Sequence, residues 1–140
     1  MSANRTEPKR LLIIDDSEVL LARMKRALTL TGFEVITSTQ VVGNARHLVS
    51  CDLILIDYHM PGLNGSAVVH SLRSVAKASK HPCAFYVYTS DRHISNDYAA
   101  LGFDGAFTSK GDDGELVRQA VAYFRLATMR SLRKSGPKEP

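Results

Sequence analysis

Three short apolar runs divide the chain, and polar residues follow each of them. The runs are 11-LLII-14, 53-LILI-56 and 84-AFYVY-88. None of them alternates apolar with polar positions, which is the pattern of parallel strands that are covered on both faces. Two weaker candidates, 34-EVITS-38 and 104-DGAFTS-109, complete a predicted set of five strands, the second weakened by its glycine.

Segments with apolar residues at helical spacing lie between these strands. The clearest spans 18–30, where Ser17 is suited to cap the start and Thr31-Gly32 to end the helix. Other helices are predicted near 40–49, 66–77 and 94–101, and from Asp112 or Asp113 to about residue 128. Five strands that alternate with five helices predict an α/β fold with a doubly wound parallel sheet, because parallel strands need helical crossovers.

Composition narrows the class of protein without changing this architecture. A chain of 140 residues, 44% hydrophobic and 23% charged, is the size and make-up of one globular domain. No unbroken apolar run approaches the roughly 20 residues that span a bilayer, so we expect no membrane contact and a cytoplasmic location. The formal net charge of +4 resides in 125–140. The rest is neutral overall, which argues against nucleic-acid binding by the domain itself.

Chemically versatile side chains follow four of the predicted strands. In chain order they are Asp15 and Asp16, Asp57, Thr89 and Ser90, and Lys110. The carboxyl ends of parallel strands meet at one edge of the sheet, where doubly wound folds bind ligands. Clustered carboxylates repel one another unless a cation lies between them, and an all-oxygen set without His or Cys suits a hard ion. The sequence therefore predicts a site for Mg²⁺ (or Mn²⁺).

Asp57 is the predicted nucleophile of this site. It stands alone at the end of a central strand, whereas Asp15 and Asp16 are adjacent and better suited to holding a metal. A carboxylate beside Mg²⁺ can attack phosphorus and form an aspartyl phosphate, while the metal and a lysine such as Lys110 offset the charge of the transferred oxygens.

From about Arg10 to Met129 the chain resembles a response-regulator receiver domain, the phosphoacceptor domain of two-component signalling. The matching pieces are 15-DDS-17, 57-DYHMPGLNG-65, Thr89 and Lys110, in this order and at these spacings. The resemblance implies a flavodoxin-like sheet with strand order 2-1-3-4-5. It implies a receiver domain at 10–129, a tail at 1–9, and at 130–140 a basic tail or the start of a linker.

The resemblance also implies a function and its partners. Asp57 would accept phosphate from a sensor histidine kinase, a phosphotransfer protein or a small phosphodonor, and Thr89 and Lys110 would contact the phosphoryl group. The implied Mg²⁺ ligands are Asp15, Asp16, Asp57 and the backbone carbonyl of His59. Phe107 matches the aromatic switch position, where phosphorylation repacks the surface of the fourth helix, fifth strand and fifth helix for a downstream target or output domain.

The chain departs from the family pattern after Lys110. Gly111 stands where the family has a proline that follows a cis peptide bond. A cis bond before a residue other than proline costs about 2.5 to 4 kcal/mol, so we expect a trans Lys110-Gly111 bond and an altered loop path. His59 and Asp91 occupy positions that tune phosphate lifetime in the family; the alternative is that both are solvated loop residues.

Cys51 and Cys83 each precede a strand-end polar residue by six positions, so adjacent strands would bring them near each other. A redox pair is one interpretation. We favour the other, in which both remain free core thiols, because structural disulfides are rare in the cytosol.

Two other functions stay open. A pseudo-receiver would bind partners constitutively without phosphate, which Gly111 favours and the intact acidic set opposes. A phosphatase with an aspartyl-phosphate intermediate is opposed because no acid stands two positions after Asp57. We therefore expect a signalling switch rather than an enzyme, acting alone or as the receiver of a longer regulator.

Overall fold

A parallel sheet of five strands forms the centre of the protein. The computed structural model describes residues 8–40, 45–48, 50–60, 63–77, 83–108 and 110–134. Numbered in chain order, the strands are β1 Arg10–Ile14, β2 Glu34–Ser38, β3 Leu53–Asp57, β4 His59–Met60, β5 Leu63–Asn64, β6 Ala84–Tyr88 and β7 Gly105–Phe107. The sheet has the order β2-β1-β3-β6-β7, and β4 and β5 form a separate antiparallel hairpin. Without that hairpin, this is the predicted order 2-1-3-4-5.

Four α-helices connect and cover the strands: α1 Glu18–Leu30, α2 Gly65–Ala76, α3 Arg92–Asn96 and α4 Asp113–Lys134. Helix α1 has the predicted bounds. The Ser17 hydroxyl caps it by accepting a hydrogen bond from the Leu20 N–H at 3.1 Å, and Thr31 forms its C-cap. Among the helices described here, none is both long enough and apolar enough to cross a bilayer.

Two of the predicted helices differ from the structure. The helix predicted at 40–49 is wrong in its described part, where only a 3-10 turn forms at Ala45–His47; residues 41–44 and 49 lie outside the described residues. Gly43 and Asn44, which precede that turn, are poor helix formers. The helix predicted at 94–101 begins and ends earlier, as α3. Asp91 starts it by accepting hydrogen bonds from the N–H groups of His93 and Ile94, and residues 97–102 form turns.

Both faces of the sheet are buried, which explains the unbroken apolar runs. Alternate residues of β1 and β3 contribute to two separate core clusters. Leu11, Ile13, Leu53 and Leu55 pack with α1 and α4, and Leu12, Ile14, Ile54 and Ile56 pack with α2. A strand covered on both sides cannot alternate apolar with polar positions.

Helix α4 continues beyond the part that covers the sheet. Leu116, Ala120 and Phe124 are buried against the core, whereas Leu126 and Met129 are about half exposed. The helix runs to Lys134, so the described part of the predicted tail, residues 130–134, is helical. The domain boundary at residue 129 stays a prediction.

Candidate functional site

The three predicted acids converge at the carboxyl edge of the sheet. Asp57 is the last residue of β3, and Asp15 and Asp16 directly follow β1, whose Ile14 pairs with Ile56. One carboxylate oxygen from each acid lies within 4.8 Å of the others. Asp15 and Asp57 are only 1% and 2% exposed, and Asp16 is exposed.

The two buried acids are only partly satisfied by hydrogen bonds. Asp15 Oδ1 accepts a hydrogen bond from the Ser17 N–H at 2.8 Å, and Asp57 Oδ1 accepts one from the His59 N–H at 3.3 Å. The second oxygen of each acid, Oδ2, is buried and has no hydrogen-bond partner among the described residues. Since a buried polar atom without a partner is costly, these two oxygens are candidate ligand atoms.

Lys110 lies between the two buried acids. Its ammonium nitrogen is 2.7 Å from Asp57 Oδ1 and 3.5 Å from Asp15 Oδ2, the latter an ion pair without a hydrogen bond. Burial lowers the pKa of Lys110, but the nearby carboxylates of Asp57 and Asp15 outweigh it and leave the pKa above its ordinary value. Lys110 is therefore a cation at neutral pH.

The pKa of Asp15 is also raised, but here burial is the main cause. Burial raises its pKa, and the neighbouring charge of Asp57 adds to this, whereas the Ser17 N–H and Lys110 oppose it; the net pKa is raised. One ammonium cannot neutralise three carboxylates, so the group keeps excess negative charge. A site of carboxylate oxygens with excess negative charge fits a divalent hard cation such as Mg²⁺.

Thr89 and Phe107 lie beside this group. Thr89 is buried and follows Tyr88, the residue of β6 that pairs with Asp57. Its hydroxyl accepts a hydrogen bond from the Asp91 N–H at 3.0 Å, and its own N–H donates to the Phe107 carbonyl at 3.0 Å. The Phe107 ring is buried and packs edge-to-face on Tyr86, with ring centroids 5.4 Å apart. A single backbone hydrogen bond thus joins the phosphoryl-contact and switch candidates.

His59 and Asp91, the predicted lifetime residues, face each other. His59 Nε2 lies 3.7 Å from Asp91 Oδ2, and both side chains are well exposed. Burial would raise the pKa of Asp91, but the N–H groups of His93 and Ile94 outweigh it and lower the pKa. Their pairing was not predicted from the sequence, because it joins two separate loops. The role of the His59 carbonyl as a metal ligand stays a prediction.

The loop that carries Lys110 continues into Gly111, and the altered path expected there stays a prediction. The Lys110-Gly111 bond is trans, and Gly111 has φ +94°. Its N–H donates to the Tyr88 hydroxyl at 3.2 Å, and its carbonyl accepts a hydrogen bond from Arg23 Nη2 at 3.3 Å. Tyr88 and Arg23 were not among the site residues predicted from the sequence. The sequence offered one indication of such a contact, a tyrosine with its polar hydroxyl at the end of the apolar run 84-AFYVY-88.

The two cysteines are both free. Cys51 is buried, and burial raises its pKa to about 11. Burial also raises the pKa of Cys83. Little thiolate is present at neutral pH, which favours core thiols over the redox pair.

Comparison with known proteins identifies the family. The model of the response regulator receiver domain matches residues 11–121. The chain belongs to this family, and its members are signalling domains rather than classical enzymes.

Two curated relatives are similar to part of this chain. Transcriptional regulatory protein PrrA of Mycobacterium tuberculosis is 41% identical over 80 residues, which cover 54% of this chain and 33% of the relative. The uncharacterized transcriptional regulatory protein YrkP of Bacillus subtilis is 27% identical over 122 residues, covering 86% of this chain and 51% of the relative. The chain thus spans about a third to a half of these relatives.

Among solved structures, chemotaxis protein CheY4 of Vibrio cholerae superposes with a TM-score of 0.68 at 20% identity. The match covers 83% of this chain and 98% of that one. At this identity the likeness supports the fold alone. It confirms the predicted doubly wound α/β class.

Proposed function

We propose that this chain is a phosphorylation-dependent switch of a two-component phosphorelay, with Asp57 as the phosphoacceptor. One observation carries the proposal. The buried Asp57 carboxylate has one oxygen 2.7 Å from the Lys110 ammonium, and its other oxygen has no hydrogen-bond partner in the part of the chain described above. A desolvated carboxylate with one oxygen open and a cation alongside is equipped to accept a phosphoryl group.

The reaction follows from this geometry. An oxygen of Asp57 forms a bond to phosphorus while the phosphorus–nitrogen bond of a phosphohistidine breaks, and the electron pair stays on the departing imidazole. With acetyl phosphate, a phosphorus–oxygen bond breaks instead and acetate leaves. Lys110 offsets the negative charge of the transferred oxygens, and Thr89 is the proposed hydroxyl contact on the neighbouring strand.

Mg²⁺ (or Mn²⁺) is part of the proposal. Asp15, Asp16 and Asp57 would hold it, together with the backbone carbonyl of His59. The orphaned Oδ2 atoms of Asp15 and Asp57 and the excess negative charge support this fit. When bound, the ion would shield the phosphoryl oxygens from the carboxylates that surround them.

The proposed response to phosphate is a local repacking. Thr89 and Phe107 are joined by a backbone hydrogen bond, so a shift of Thr89 toward a phosphoryl group would be felt at Phe107. Phe107 lines a cavity of about 230 Å³ between β7 and α4, which Leu126 and Arg130 also line. Repacking there would alter the surface that a downstream target or an output domain contacts.

The upstream partner is a sensor histidine kinase or a phosphotransfer protein, and the proposed location is the cytoplasm, where such phosphoryl groups originate from ATP. The chemistry of the chain itself is limited to accepting and losing phosphate. The second candidate, a constitutive pseudo-receiver, is favoured only by Gly111. The clustered acids and Lys110 oppose it, since a module without phosphate chemistry has no need of buried, unsatisfied carboxylates.

The test is intact mass after incubation with acetyl phosphate and Mg²⁺. We expect one added phosphoryl group on the natural chain and none on Asp57→Asn. Asp52→Asn is the matched control, because Asp52 lies at the opposite end of the same strand, and this variant should be phosphorylated normally. No addition to the natural chain, together with no Mg²⁺ binding in a parallel titration, would establish the pseudo-receiver instead.

A further inference from the structure

The loop after β7 has a backbone that only glycine adopts easily at its key position. Gly111 has φ +94°, in the left-handed region, and a Cβ there would meet no other atom within 4 Å. The position therefore needs glycine for its dihedral angle rather than for space. Proline, whose φ is fixed near −65°, cannot adopt this conformation. Lys110, the residue immediately before, must be held in place by something other than a proline ring.

Tyr88 supplies a contact that a proline would exclude. Its hydroxyl accepts a hydrogen bond from the Gly111 N–H at 3.2 Å, and proline has no N–H to donate. The Tyr88 ring is only 1% exposed and belongs to the core cluster that includes Phe107. A hydroxyl on so rigid a ring is a fixed point for the loop.

The other side of the same peptide segment is held by α1. Arg23 donates to the Gly111 carbonyl at 3.3 Å and to Asp113 Oδ2 at 3.2 Å. The Arg23 side chain is about half exposed, so these contacts are weaker anchors than the buried Tyr88 ring. Tyr88 is thus the rigid partner of the loop, at the position of β6 that pairs with Asp57.

We propose that Tyr88 is a positioning residue for phosphoryl transfer: its hydroxyl fixes the Gly111 amide so that the Lys110 ammonium reaches Asp57. This inference rests on the proposed function. The contact exists only because residue 111 has an N–H, which proline lacks. Gly111 and Tyr88 then act together to place Lys110.

The test uses Tyr88→Phe, which removes one oxygen and keeps the buried ring. Initial phosphorylation rates with acetyl phosphate at saturating Mg²⁺ should fall about three- to ten-fold, the range expected for one lost hydrogen bond. Mg²⁺ affinity should be unchanged, since the carboxylates hold the ion. Tyr98→Phe makes the same chemical change on the turn after α3, and its rate should equal that of the natural chain.

A double-mutant cycle separates positioning from general loosening of the fold. In a Lys110→Ala background, Tyr88→Phe should have no further effect on the rate, because the hydroxyl acts through Lys110. An equal fall in both backgrounds would overturn the inference, and so would an unchanged rate for Tyr88→Phe alone.

A second readout is independent of phosphorylation. The Gly111 amide resonance should shift and exchange faster with solvent in Tyr88→Phe, and both should be unchanged in Tyr98→Phe. If the natural chain takes up no phosphate, the proposed function fails on its own. An unchanged Gly111 amide in Tyr88→Phe would then overturn the inference as well.

Discussion

The two ends of the parallel sheet use the same residue type in opposite ways. At the amino end, Asp52 accepts a hydrogen bond from the Arg10 N–H at 2.9 Å, and Asp104 accepts one from the Phe85 N–H at 2.8 Å. At the carboxyl end, Asp15 and Asp57 each retain a buried oxygen without a hydrogen-bond partner among the residues described. The acids at one end hold backbone N–H groups of the sheet, whereas those at the other are the proposed ligand-binding groups.

This difference gives a criterion for telling a structural carboxylate at a strand end from a candidate ligand. The two sets of acids differ in burial, since the Asp104 side chain is 42% exposed and Asp15 and Asp57 are only 1% and 2% exposed. Asp104 also lies 3.3 Å from Arg73 Nη2, so its negative charge is met by protein groups alone. Lys110 pairs with Asp15 and Asp57, and with Asp16 close by the three carboxylates keep excess negative charge. Asp15 and Asp57 combine a buried oxygen that lacks a hydrogen-bond partner with this excess charge, whereas Asp113, which also has such an oxygen, is ion-paired with Arg23.

The largest expected effect is Mg²⁺-dependent stability at the carboxyl end. At a Mg²⁺ concentration 100 times the Kd, the free energy of unfolding of the natural chain should rise by about 2.7 kcal/mol. Asp57→Asn, which removes a ligand, should gain much less under the same conditions, and Asp104→Asn should gain as much as the natural chain. Denaturant titration with and without Mg²⁺ measures this. Equal gains in Asp57→Asn and the natural chain would show that Asp57 does not hold Mg²⁺.

Next in size is the loss of a structural acid. Asp104→Ala leaves the Phe85 N–H without its carboxylate partner and should lower the free energy of unfolding by about 1 to 3 kcal/mol. The control is Asp97→Ala, at an exposed acid in the turn after α3. It should change the free energy of unfolding by no more than about 0.5 kcal/mol. Mg²⁺ affinity, measured by calorimetry, should be the same in both variants. Weakened Mg²⁺ binding in Asp104→Ala would show that the two ends are not separate.

The pH dependence of the free energy of unfolding should include a contribution from the buried Asp15. Its raised pKa means that the native state holds this proton more tightly than the unfolded chain does. In metal-free buffer, Asp15 therefore makes the free energy of unfolding increase as the pH falls through the raised pKa, and the gain is complete below the ordinary value of 3.8. Asp15→Asn lacks this contribution.

The measurement is the stability of the natural chain minus that of Asp15→Asn, followed on acidification. This difference should become more favourable to the natural chain between the raised pKa and 3.8. A difference that is constant or that changes in the opposite direction would show that Asp15 is not held in a site that disfavours its charge.

The smallest effect is expected from a surface ion pair at the amino end. Arg10 Nη2 lies 2.7 Å from Glu34 Oε1, and the side chains are 38% and 47% exposed. Glu34→Gln should cost no more than about 1 kcal/mol, because solvent screens exposed pairs. Thermal unfolding checks this. A loss of stability as large as that of Asp104→Ala would show that this exposed ion pair matters as much as the hydrogen bond of Asp104.

Much of the fold was readable from the sequence. The runs 11–14, 53–56 and 84–88 predicted buried strands because both faces of the sheet are covered, and the strand-end acids predicted a common edge because parallel strands end together. These are consequences of local pattern and topology. The helix predicted at 40–49 was wrong in its described part, and the sequence there includes Gly43 and Asn44, which are poor helix formers.

The contacts that tune the site were not readable. The hydrogen bond from Gly111 to Tyr88 joins residues 23 positions apart, and the His59–Asp91 pair joins two loops. Each depends on the exact path of a loop after a strand, which periodicity does not encode. The family resemblance identified Gly111 as a departure, and only the three-dimensional arrangement showed what it contacts.

The central claim is that the open oxygens of the carboxyl end receive phosphate on Asp57. Reductive trapping tests it most directly: after treatment with acetyl phosphate and Mg²⁺, borohydride reduces an aspartyl phosphate to homoserine, and peptide mass spectrometry locates it. We predict homoserine at position 57 and at none of Asp15, Asp16 and Asp52, only when donor and Mg²⁺ are both present. Homoserine at another aspartate, or equal labelling after removal of Mg²⁺, would contradict the claim.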